Sequence, residues 1–242
     1  MKLLALDTST EFLSLALQVG DEKGCDKTYT HYQHAGQAAS QLVLPQIQAL
    51  LDTANTQLSD LDGIAFGAGP GAFTGVRVAC GVAQGLGFGA NIPVVGVNTL
   101  LALAEASGED KVIACLDARM GEIYHAAFER KNGEWTEQSP TQVCKPEAAA
   151  QLHSALNGSW VGVGSGWAVY GEVLSKVYAQ NLVKTVPHDL YYKVTPTAEA
   201  ILKLTTSTFA TGLAKPACEA APIYVRNRVA LTTIEREKGL RL

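Results

Sequence analysis

Apolar positions along this chain alternate between short unbroken runs and longer stretches at helical spacing. Leu3–Leu6 is an apolar run that meets the polar Asp7-Thr8-Ser9-Thr10, and Phe12-Leu13-Ser14-Leu15-Ala16-Leu17 then resumes it. Run, polar turn and run predict a hairpin. Between Gln37 and Asn55, Leu42, Val43, Ile47, Leu50 and Leu51 recur at helical spacing, which predicts a helix with a bend or late start at Pro45. A strand over Asp62–Phe66, a helix from Thr74 to about Gly89, and a strand over Ile92–Val97 follow. Asn98-Thr99 then caps a helix reaching about Ser107.

The opening pattern then returns. Val112–Asp117 is an apolar strand ending in Asp, Ala118-Arg119-Met120-Gly121 is the turn, and Glu122–Phe128 is the second strand. A strand at Trp160–Gly164, a helix from Ala168 to Ala179 and a helix from Pro196 to Thr206 complete an echo of the first half. Duplication of a whole α/β domain is the simplest account. The most polar short link, Ser107-Gly108-Glu109-Asp110, divides the chain into domains 1–107 and 108–216, with an extension over 217–242. Within that extension, Pro222–Arg226 is expected to run back along the surface of one domain.

The densest glycine cluster is Gly67-Ala68-Gly69-Pro70-Gly71-Ala72-Phe73-Thr74-Gly75-Val76-Arg77. It reads as strand, tight loop and helix, with the Thr74 hydroxyl capping free backbone N–H groups. Such a loop can hold an anion, or it can be a packing turn. The Walker pattern fails because Val76 follows Gly75, and the dinucleotide fingerprint fails because Ala72 stands three residues after Gly69. Further on, Gly81, Gly85 and Gly89 stripe one helical face. Glycine costs a helix about 1 kcal/mol each against alanine, so close packing is expected there, either inside the chain or across a subunit interface.

Composition narrows the class. The 242 residues are 47% hydrophobic and 17% charged, as in an ordinary globular protein with a real core. A formal charge of −4 disfavours autonomous nucleic-acid binding. The basic residues Arg226, Arg228, Arg236, Lys238 and Arg241 read as a solvated tail. Cys25, Cys80, Cys115, Cys144 and Cys218 are odd in number and scattered, as in reduced core residues of a cytosolic protein. The N-terminus reaches Asp7 too soon for a signal peptide, and no apolar run spans a bilayer. The expectation is a cytoplasmic protein.

A duplicated domain presenting two Asp-tipped hairpins to a shared cleft resembles the actin, sugar-kinase and Hsp70 superfamily. The fold class expected is α/β, with two actin-like (ribonuclease H-like) domains of mixed sheets flanked by helices. In that superfamily the hairpins grip phosphates and a carboxylate orients hydrated Mg²⁺. Here Asp7, Thr8, Ser9, Thr10 and Asp117 are the candidate phosphate-facing residues. The other reading is that hairpin turns favour Asp, Ser and Thr for local side-chain to backbone bonds.

Ala5–Thr10, the Gly67–Arg77 loop, Asp117-Ala118-Arg119-Met120-Gly121-Glu122 with Tyr124, and Pro222-x-Tyr224-x-Arg226 together resemble the TsaB (YeaZ) family across essentially the whole chain. The resemblance implies a non-catalytic subunit in synthesis of threonylcarbamoyladenosine at adenosine 37 of tRNAs that read A-starting codons. It implies the catalytic paralogue TsaD and the ATPase TsaE as partners, tRNA only through the complex, and self-association as a homodimer on the surface TsaD otherwise covers. No resident cofactor follows from it; ATP or ADP, where one binds, belongs at or near a complex interface. The helices over 37–55 and 74–89 are the expected shared surface, with Leu42, Gln46, Gly75, Val78, Gly81, Val82, Gly85 and Gly89 as its residues. Ala72 departs from the serine usual in that family.

The residues offer little for catalysis. No two histidines stand four apart; His31 and His34 are three apart and read as a polar loop, so no metal site is expected. Ser165 lacks the nucleophile-elbow pattern, because Val163 stands two before it. The rival reading is a small-molecule kinase of the same fold using Asp7 and Asp117.

Overall fold

The computed structural model of the chain describes residues 1–20, 26–152, 156–185 and 194–226. Cys25 and the basic residues Arg228, Arg236, Lys238 and Arg241 lie outside them. The first sheet is built from β1 (Lys2–Asp7), β2 (Phe12–Gly20), β3 (Asp26–His34), β4 (Gly63–Gly69) and β5 (Val94–Asn98) in the order β3-β2-β1-β4-β5. The second uses β6 (Lys111–Arg119), β7 (Glu122–Lys131), β8 (Glu134–Cys144), β9 (Trp160–Val163) and β10 (Leu182–Thr185) in the order β8-β7-β6-β9-β10. The orders match strand for strand. In each sheet two antiparallel pairings precede a parallel crossover, with Leu4 opposite Ile64 in one and Val112 opposite Val161 in the other. The duplication read from the repeated hairpin is thus carried through the whole topology.

Helices α1 (Ala39–Thr53) and α2 (Phe73–Ala90) cover one face of the first sheet. There Leu4, Leu6, Leu15 and Phe66 bury against Val43, Ile47, Leu51, Ala79 and Ala83. Neighbouring positions Leu3, Ala5 and Ala65 point the other way, onto Ile201 and Leu202 of α5 (Ala198–Ala210). Burial on both faces explains why β1 is an unbroken apolar run rather than an alternating one. The second sheet is sandwiched likewise. Leu100 and Leu103 of α3 (Thr99–Ser107) meet Val112 and Ala114, while Trp167 and Leu174 of α4 (Ser165–Val177) meet Ile113 and Cys115.

The two central helices are exchanged. α3 follows a strand of the first sheet but packs on the second, and α5 follows a strand of the second but packs on the first. They touch each other between the sheets. The link after Ser107 is where the chain crosses from one sheet to the other.

Several local expectations need correction. His31 and His34 lie on strand β3, not in a loop, and their odd spacing puts them on opposite faces. This strand hides from hydrophobic periodicity because it has no aliphatic residue, only Tyr29 and Tyr32 among polar neighbours, and forms an edge. β8 was equally illegible: it carries Pro140, which an edge strand tolerates. α1 starts at Ala39 and runs through Pro45 instead of starting at it. Thr74 does not cap α2; the helix starts at Phe73, with Ala72 at the cap position making no side-chain bond. Asn98 does cap α3, accepting from Leu100 N–H at 2.9 Å. Cys80 and Cys115 are buried, but Cys218 is exposed.

Candidate interaction surface and interdomain cleft

The glycine loop is shaped by what it touches. Thr8 Oγ1 donates to the Gly75 carbonyl at 2.7 Å, and the Ala72 N–H donates to the Ser9 carbonyl at 2.7 Å. A Cβ placed on Gly75 would fall into the Thr8 carbonyl oxygen, one on Gly71 into the Ser9 carbonyl, and one on Gly67 into the Asp7 carboxylate. The three glycines therefore let the loop lie backbone to backbone on the turn of the first hairpin. That close approach is an intrachain one.

The two hairpin aspartates end up in different places. Asp7 is wholly buried beside Gly67, where Oδ1 accepts from the Ser9 N–H at 3.0 Å and the Ser9 hydroxyl at 2.8 Å, while Oδ2 has no partner among the described residues. Burial pushes its carboxyl up to about 6, against the pull of the two Ser9 bonds. Asp117 instead lines a cleft of about 1310 Å³ between the halves, together with Thr8, Ser9 and Thr10. Its carboxylate accepts from the Arg119 N–H at 2.9 Å and pairs with the Arg119 guanidinium at 3.1 Å. The nearby Tyr170 hydroxyl is held above its usual range by desolvation, reinforced by the Asp117 charge. The structure thus brings Thr8, Ser9, Thr10 and Asp117 to one cleft and leaves Asp7 out of it.

These residues do not fit a bound nucleotide phosphate. The Thr8 hydroxyl and the Ala72 N–H are spent on the protein's own carbonyls, and the orphaned oxygen of Asp7 is sealed behind Gly67. Asp117 is already matched by Arg119. Its counterpart for a metal-orienting role, the first hairpin's carboxylate, is wholly buried against Gly67 and does not line the cleft.

The extension after α5 closes one side of the cleft. Ile223 N–H donates to the Ala68 carbonyl at 2.7 Å, and Tyr224 lies 4.9 Å from the Arg77 guanidinium. Arg226 reaches the second hairpin, donating to Glu122 Oε2 at 2.5 Å and to the Ala118 carbonyl at 3.2 Å. The hairpin turn it grips has Arg119, Met120 and Gly121 all at positive φ. Pro222–Arg226 therefore runs from one half to the other, not along a single domain as expected from sequence. On the opposite side the Tyr32 and Thr195 hydroxyls are 2.8 Å apart.

On the outer face of α2, Gly81, Gly85 and Gly89 are exposed, and a Cβ on any of them would meet nothing within 4 Å. Among the described residues, intrachain packing does not use this stripe. Leu42, Val78 and Val82 flank it half-buried on the first core, and Gln46 is half-buried on α1. Gly75 departs from the expected set, since its open side is taken by Thr8. Sequence reasoning missed Phe88, three residues past Gly85 on the same face and 78% exposed. It also missed the Phe73–Arg77–Tyr224 cluster, for which the Pro222-x-Tyr224-x-Arg226 motif was the available signal.

Residues 30–232 match the family model described as TsaD: tRNA N6-adenosine threonylcarbamoyltransferase. The chain is 37% identical to the tRNA threonylcarbamoyladenosine biosynthesis protein TsaB of Escherichia coli over 235 residues, 95% of this chain and 96% of that one. Identity to the Haemophilus influenzae protein of the same name is 38% over 242 residues, covering 95% of each. The solved structure of YeaZ from Pseudomonas aeruginosa superposes with a TM-score of 0.79 at 37% identity, covering 92% of this chain and 99% of that one.

Proposed function

This chain belongs to the TsaB family of tRNA threonylcarbamoyladenosine biosynthesis proteins, and from that premise we propose that it acts as the non-catalytic subunit that docks on and activates a TsaD-type catalytic partner. In this reading TsaD, TsaE and this chain together transfer the threonylcarbamoyl group to adenosine 37 of tRNAs that read A-starting codons. The observation that carries it is the open glycine stripe of α2. Three glycines at four-residue spacing weaken a helix by about 1 kcal/mol each, and no described residue of the chain packs into their flatness. A second helix packed closely against Gly81, Gly85 and Gly89 supplies the compensating contact. The same face serves self-association when the partner is absent.

The cleft supports the same assignment from the other side. Its Thr8 and Ser9 hydroxyls are consumed internally, so in this reading ATP or ADP belongs at an interface of the complex and not in this chain's own cleft. The kinase alternative needs both aspartates turned to a shared Mg²⁺–phosphate group, and Asp7 is wholly buried and does not line the cleft.

Threonylcarbamoyladenosine formation is the direct test. In a mixture of TsaD, TsaE, the adenylate-forming enzyme, ATP, threonine, bicarbonate and unmodified tRNA, the modified nucleoside is expected only when this chain is added. Equal product without it rejects the activating role. Gly85→Leu projects a branched side chain into open space and therefore leaves the fold intact while blocking helix–helix approach. Size-exclusion chromatography should show it as a monomer that no longer co-elutes with TsaD. Unchanged co-elution of a folded Gly85→Leu chain rules this face out as the docking surface.

A further inference from the structure

The cleft mouth has a composition that the docking face does not explain. Three of the four arginines among the described residues, Arg77, Arg119 and Arg226, line it, although the chain as a whole is acidic. Two of the four most exposed large aromatic side chains among the described residues stand there too: Phe73 and Tyr224, each 60% exposed. They are not scattered. The Arg77 guanidinium lies 3.3 Å from the Phe73 ring centre and 4.9 Å from that of Tyr224, so the three form a ring–cation–ring ladder with accessible ring surface at both ends. Across the cleft Arg119 is 86% exposed, and its pairing with Asp117 leaves further guanidinium donors free. Thr10 and Thr74 add hydroxyls between the two sides.

We propose that this mouth binds an unpaired stretch of RNA, one base stacking on the Phe73–Arg77–Tyr224 ladder and a neighbouring phosphate meeting Arg119. Aromatic rings interleaved with arginine are the usual platform for single-stranded nucleic acid, because every base has a π face. At about 1310 Å³ the cleft exceeds the roughly 300–1,000 Å³ typical of small-molecule sites, which favours a segment of polymer over a small metabolite. Two carboxylates also line it, but Asp117 is matched by Arg119 and Glu11 faces His34 at 3.8 Å. The inference rests on the family reading above, in which the assembly handles tRNA. The local arginines then supplement affinity that an acidic chain does not provide alone.

The test compares tRNA binding by the assembled complex carrying wild-type chain, Tyr224→Ala or Arg119→Gln, titrated with an unmodified tRNA transcript from 50 to 200 mM salt. Tyr224→Ala should weaken binding about tenfold, the size of effect that loss of one base stack carries. Arg119→Gln should lower the salt slope by about one phosphate contact. Co-elution of each variant with its partners is read beforehand. Affinity within twofold of wild type with an unchanged slope overturns the proposal. So does loss of co-elution without loss of tRNA affinity, which makes the mouth a protein contact. Failure of the wild-type chain to co-elute speaks against the docking reading instead. The mouth is then tested on the chain alone, by photo-cross-linking to a thiouridine-bearing RNA stem-loop. Cross-links in 73–77 or 222–226 are expected, and cross-links elsewhere or none overturn it.

Discussion

Gly75→Ala should destabilise the isolated chain by roughly 3 kcal/mol or more, whereas Gly81→Ala, six residues further along the same helix, should stabilise it by up to about 1 kcal/mol. Both changes add one methyl group to α2, and generic helix propensity favours both. The environments decide the sign. At Gly75 the new Cβ would overlap the Thr8 carbonyl oxygen, which belongs to the backbone of a wholly buried hairpin end and cannot rotate away. Relief requires the loop to lift off, losing the Thr8–Gly75 and Ala72–Ser9 hydrogen bonds. At Gly81 the methyl enters open space and the helix loses a flexible residue. For a chain of this size each kcal/mol moves the melting temperature by roughly 2–4 °C. Calorimetry at a concentration low enough to keep the chain monomeric should therefore show Gly75→Ala melting at least about 6 °C below wild type, and Gly81→Ala at or above it. A Gly75→Ala protein as stable as wild type contradicts the packed arrangement of loop and hairpin.

Asp7→Asn should gain stability relative to wild type as pH rises. The carboxyl of Asp7 is raised from 3.8 to about 6 in the folded chain because it is buried with one oxygen unpaired. A raised folded pKa means that this group's contribution is fully present below the unfolded value and is lost as pH climbs through about 6. Asparagine keeps an oxygen for the Ser9 N–H and hydroxyl but never ionises. The difference between variant and wild type should therefore grow between pH 4 and pH 7 by about 3 kcal/mol, because each pH unit separating the unfolded and folded pKa values carries about 1.4 kcal/mol. Above that range it should stay flat. Denaturant titrations of both proteins across that range measure it, and a difference independent of pH contradicts the buried, unpaired carboxylate. The same result bears on function. A carboxylate that destabilises the fold when ionised, and faces no cleft, is poorly suited to orienting a metal.

What was legible in the sequence was what depends on neighbours along the chain. Apolar runs marked β1, β4 and β6 because strands buried on both faces need no polar alternation. The repeated Asp-tipped hairpin exposed the duplication, since both copies use the same turn chemistry. The Asn98 cap and the small-residue stripe of α2 were equally readable. Edge strands β3 and β8 were not, because their stability comes from backbone pairing with β2 and β7, and that leaves their side chains free of any hydrophobic pattern.

Whether a residue faced core, cleft or solvent could be decided only by tertiary structure. Asp7 and Asp117 occupy equivalent turns by sequence, yet one is sealed behind Gly67 and the other lines the cleft. Gly75 and Gly81 share a helix, yet one is pressed on a carbonyl and the other is open. The exchange of α3 and α5, and the reach of Arg226 from one half to Glu122 of the other, join residues far apart in the chain. Sequence by itself determined the duplicated α/β plan and the candidate groups, because local propensity and burial pattern are written residue by residue, and its motifs carried the resemblance to the family. Which of those groups meet, and which are left free for a partner, depends on the closure of two sheets around shared helices, a long-range packing outcome that no local pattern encodes.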